Sequence, residues 1–112
     1  MNIRKPTDYS TLFVELDTLM AAPLPQMELY REIGRVVSRR SEKGAAVAAS
    51  EYLQAAYPTA EGFSPRNVRR MRAFYVAYEK TPEIIRLAMH LGWTRNVAIL
   101  EGCGSSEERA WY

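Results

Sequence analysis

Apolar residues along this chain recur every three or four positions, and no stretch keeps up an alternation of period two. Leu12, Phe13, Leu16 and Leu19 share one side of a helix predicted over 8–20, with Asp8 at its start as a plausible N-cap. The run AAPLP (21–25) ends that helix, because proline cannot continue it. A second helix is predicted from about Pro25 to Arg40, with a stripe of Met27, Tyr30, Ile33 and Val37 flanked by Leu29 and Val36. Arg31, Arg35 and Arg39 recur at intervals of four on its wet side, with Glu28 and Glu32 as local partners. SEKG (41–44) reads as a turn, and alanine-rich 45–57 as a third helix able to accept a close neighbour.

Start signals punctuate the second half. Ser64 and Pro65 read as an N-cap and first helical residue, opening a fourth helix that runs to about Tyr78. Thr81-Pro82-Glu83 repeats that signal for a fifth helix, 82–91, which Gly92 ends. A short helix follows from about Thr94 to Glu101, and SEERAWY begins a last turn or helix at Ser106. These elements predict an all-α fold: a bundle of five to seven short helices in a single domain over 1–112. The third and fourth helices, joined through Gly62, form a helix-turn-helix-like element, though the join is longer than in the simplest examples.

Composition adds little until charge is mapped locally. Hydrophobic content of 47% and charged content of 25% are those of an ordinary globular domain, and the net charge is only +2. Arginine outnumbers lysine twelve to three, and four arginines fall within residues 66–72. No acid stands between Glu61 and Glu79. On a helical wheel Val68, Met71, Tyr75 and Tyr78 form the core stripe, with Arg72 beside it and Asn67 and Phe74 on the other flank. Arg66, Arg69, Arg70, Ala73 and Ala77 fall on the outward side, cationic first and small beyond. A guanidinium binds phosphate or guanine O6 and N7 with two parallel bonds, and a helix start favours an anion. Three readings stay open: a face for nucleic acid, a plain solvated face, with or without pairing to Glu61, Glu79 or Glu83, and a face for an acidic protein.

Catalytic chemistry finds few residues. The single histidine, His90, has no metal-ligand companion at helical spacing, and the single cysteine, Cys103, has nothing to orient it against His90. Glu107 and Glu108 are adjacent, so they point to different sides of a helix, and GCG lacks the ending of a phosphate loop. No catalytic residue, metal site or cofactor is expected. One cysteine fits a reducing cytoplasm, and no apolar run suits a signal peptide or a membrane span.

GFSPRNVRRMRAFYVAY, LGWTRNVAILEG and EERAWY, in that order, resemble the N-terminal domain of the YhcG-type family, and ELYREIGRVVSRR resembles the region before them. The resemblance covers 25–112 and leaves 1–24 as an N-terminal helix and linker. It implies a helical, helix-turn-helix-like domain that binds DNA, in bacterial proteins often carried by mobile elements, ahead of a PD-(D/E)XK nuclease domain. The family pattern Ser-x-Arg-Asn falls on Ser64, Arg66 and Asn67, followed by Met71 and Phe74. The second motif usually has histidine where this chain has Arg95, so a role needing imidazole does not carry over, and a guanidinium adds to the positive field. Trp93 and Asn96 lie in the same motif, the first expected in the core and the second bonded to backbone near a helix start. The nuclease's carboxylates and lysine have no counterpart in these residues.

The expected function is therefore non-catalytic binding of duplex DNA. Arg66, Arg69 and Arg70 make groove or phosphate contacts, Ser64 and Asn67 orient the helix start, and Arg95 is an auxiliary. The alternative is an interaction or oligomerisation module, forming a homodimer or docking onto a separate nuclease subunit. Trp111 and Tyr112 are then candidates for a dimer contact.

Overall fold

A computed structural model describes residues 8–40 and 44–102. Six helices follow in order: α1 (Ser10–Ala21), α2 (Gln26–Ser38), α3 (Ala45–Ala56), α4 (Pro65–Tyr78), α5 (Pro82–Leu91) and α6 (Trp93–Gly102). The described residues contain no strand, and the protein is all-α. The expectations for Glu107, Glu108, Trp111, Tyr112, Cys103 and the helix at Ser106 lie outside the described residues, as does most of the 41–44 turn.

Helix starts differ in how well they are capped. Ser64 is the N-cap of α4, its hydroxyl accepting the Asn67 N–H at 3.1 Å, with Pro65 at the first position. Asp8 sits one residue ahead of the α1 cap, yet its carboxylate still accepts the Ser10 N–H at 2.9 Å. Thr81 does not cap α5: its hydroxyl donates backward to the Tyr78 carbonyl, so proline and the first-turn acid Glu83 mark that start.

The core divides into two clusters. The larger joins α1 to α4 through Leu12, Leu16, Ile33, Val37, Leu53, Val68 and Met71, with Ala45, Ala46 and Ala49 admitting α3 closely. The smaller joins α4 to α5 through Phe74, Tyr78, Ile85 and Ala88. Trp93 packs against both, edge-on to Tyr30 at 4.9 Å and to Phe74 at 5.9 Å between ring centroids.

Gly34 sets the separation of α2 from α4. A Cβ there would lie 2.7 Å from the Met71 carbonyl carbon and closer still to its oxygen. Both obstacles are backbone, so the helices touch only because that position has no side chain.

Helix α4 is buried over a wider arc than the wheel expectation. Phe74, placed on a flank, is fully buried, while Tyr75, placed in the core stripe, is half-buried. The reason is tertiary. The α2–α3 layer covers one side of α4 and α5–α6 covers the next, so the buried positions run Val68, Met71, Phe74, Tyr78.

Candidate nucleic-acid interface

The six candidate residues divide by what their side chains touch. Asn67 is spent inside the protein. Its Nδ2 donates to the Gly62 carbonyl at 2.6 Å, and its Oδ1 accepts the Trp93 indole N–H at 2.9 Å. One side chain thus ties the turn before α4, the first turn of α4 and the start of α6. Gly62 has a left-handed φ of 89°, and a Cβ there would meet the Tyr30 hydroxyl, so the turn's approach to α2 also depends on glycine.

Ser64 is exposed, but its hydroxyl is engaged as the cap. Pro65 has no N–H, Asn67 gives its amide to Ser64 Oγ, and Val68 gives its amide to the Ser64 carbonyl. The Arg66 N–H is left as the one first-turn amide for an anion. The helix start is a smaller anion site than its position in the chain suggests.

Among the three arginines, Arg70 is set apart. Its Nε donates to Glu101 Oε1 at 2.8 Å, across from α4 to the last turn of α6. Glu101 lies 31 residues away and is none of the nearby acids, Glu61, Glu79 or Glu83, expected as partners. Arg66 and Arg69 are exposed, and neither pairs with an acid among the described residues, Glu61, Glu79 and Glu83 included. Pairing therefore accounts for Arg70, with a different acid, and leaves Arg66 and Arg69 as solvent-exposed cations.

Arg66, Arg69, Arg70 and Ala73 form one wall of a shallow groove of about 260 Å³, and Val97, Leu100 and Glu101 form the other. The small Ala73 on the outward side of α4 thus faces α6 of the same chain, and Ala77 packs into the smaller core. Arg95 is exposed but is not part of this groove. It precedes Val97 by two positions, about 200° around the helix, so it points away from the α4 arginines.

Asn96 is fully buried, as a bond to backbone near a helix start requires. Its Nδ2 donates to the Ala88 carbonyl at 2.6 Å and to the Gly92 carbonyl at 2.8 Å, pinning α6 to the end of α5. His90 is exposed at the end of α5. No three His, Cys, Asp or Glu side chains converge among the described residues, and no described helix is long and apolar enough to cross a membrane.

The described chain is thus an all-α domain whose exposed chemistry is one cationic helix start beside a groove. The DUF1016 N-terminal domain model matches residues 17–112, and the chain belongs to that family. This is the family to which the three motifs pointed, and the match begins inside α1, ahead of the Pro25 boundary read from them. No curated protein matches the chain. No solved structure matches it either.

Proposed function

We propose that this domain binds duplex DNA, without catalysis, through the N-terminal half of α4. The observation that carries the reading is the pair Arg66 and Arg69: exposed, free of acidic partners among the described residues, and held on a helix whose inner side is locked into the core. A guanidinium in that state keeps its donors for an external anion, and a fixed helix spares the cost of ordering them. The Ser64 cap and the Asn67 bracket are positioning elements, and α3 with α4 serves as the helix-turn-helix-like pair. As in other helix-turn-helix units, the helix approaches DNA with its N-terminal end first, and α6 borders that half of α4 along the groove.

Two free arginines make few phosphate contacts, so a second copy of the chain, on half-sites about 10 bp apart, supplies the rest. This reading places the protein in the cytoplasm with DNA. One observation favours a second reading, docking of a protein segment: Ala73, Val97 and Leu100 give the groove an apolar floor.

Salt separates the two. Fluorescence anisotropy with a labelled random-sequence duplex is expected to show affinity falling steeply with salt, by about 0.9 in log–log slope per phosphate contacted. Joint substitution R66A/R69A lowers that slope by about two units per domain. No binding at low salt, or a slope unchanged in the double variant, removes the assignment.

A further inference from the structure

Among the described residues, Glu101 is the one acid lining a groove that also presents three arginines. Its carboxylate sits on α6 and accepts from Arg70 Nε at 2.8 Å. Of the arginines lining the groove, Arg70 is the one paired across it, and its side chain is 28% exposed against 52% for Glu101. Two effects follow for an anion approaching α4. The Nε of Arg70 is already committed, and Arg66 and Arg69 act beside a negative charge that repels phosphate. An ion pair this exposed is weak, so an anion in good register can displace it.

We propose that Glu101 is a specificity-determining residue of the DNA face, which holds Arg70 back from backbone phosphate and so suppresses binding to arbitrary duplex. The inference rests on the DNA-binding reading above. Non-specific affinity comes almost wholly from phosphate contacts, so one carboxylate that withholds one guanidinium acts mainly on that term. Base contacts made by Arg66 or Arg69 at a preferred site lose less, since register there is set by the helix rather than by the count of cations.

The test is anisotropy with a random-sequence duplex over a salt series, comparing wild type, E101Q, R70A and E101Q/R70A. Glutamine keeps the shape of Glu101 and removes its charge, and thermal melting checks that the exposed substitution leaves the fold intact. E101Q is expected to bind about five-fold tighter at low salt. Its log–log slope steepens by about one unit, the signature of one added phosphate contact. R70A is expected to abolish that steepening in the E101Q background.

An E101Q slope equal to that of wild type overturns the proposal while leaving DNA binding in place. A steepening that survives in E101Q/R70A also overturns it, because the carboxylate then acts through its field alone and not by holding Arg70. Binding by none of the four proteins overturns the DNA-binding reading and this inference together.

Discussion

Asp17 illustrates how a single carboxylate joins two helices. It accepts from the Tyr52 hydroxyl at 2.5 Å and the Tyr57 hydroxyl at 2.8 Å, linking α1 to both ends of the last turns of α3. Those hydrogen bonds, Tyr52's first, hold its carboxyl below the ordinary value of 3.8, and the same contact pushes the Tyr52 hydroxyl up to about 12. The sign for Asp17 is that of a depressed acid. Its contribution is complete above the ordinary carboxylate value and is lost as pH falls through the lowered one. For Tyr52 the contribution is present below the ordinary phenol value and is lost as pH rises toward about 12. The urea midpoint of wild type is therefore expected to fall more steeply than that of Tyr52→Phe between about pH 4 and pH 2. Parallel profiles would show that the clamp adds nothing. None of this was legible in the chain, since Asp17 and its partners are 35 and 40 residues apart. Asn67 was legible in kind: a polar residue at the third helical position is placed to support the preceding turn, and it does so through Gly62. Its second bond, to Trp93 across 26 residues, was not.

Helices were read well from the chain, and their packing was not. Start and stop signals at Ser64, Pro65, Pro82 and Gly92 act within one turn, so they are local facts that a sequence carries. Gly34 has no such signature, since a glycine inside an amphipathic helix reads as a mild flaw rather than as a contact. The structure places it directly against the Met71 backbone in the extensively packed pair of α2 and α4. Gly34→Ala is expected to destabilise the fold by about 3 kcal/mol, although alanine is the better helix former, because overpacking against backbone outweighs propensity. Urea denaturation measures this directly, and a neutral or stabilising result would mean that α2 and α4 separate at little cost. The wheel's misplacement of Phe74 and Tyr75 has the same origin: a wheel assumes one buried side, and α4 has neighbours on two.

Taken whole, the described chain holds its two cores unequally. The α1–α4 cluster is dense with fully buried side chains, whereas α5 and α6 bury Ile85, Ala88, Asn96 and Ile99. Asn96 Oδ1 is buried with no hydrogen-bond partner among the described residues, which costs stability at that end. Hydrogen exchange is expected to show α5 and α6 opening at lower free energy than α2, and Trp93→Ala to widen the gap by about 2 kcal/mol, since that ring bridges the cores. Equal protection of all helices, before and after the substitution, would contradict the two-cluster picture. It matters for the candidate interface because one groove wall stands on each side of that seam, with the Arg70–Glu101 pair across it. By itself the sequence determined the helical class, the helix bounds to within a residue or two, the Ser64 cap and the acid-free arginine cluster, because periodicity, caps and prolines act over a turn or less. Only the tertiary structure decided which arginines stay free. Glu101 reaches Arg70 from another helix and Asn67 is drawn inward to Trp93, both through contacts between residues far apart in the chain.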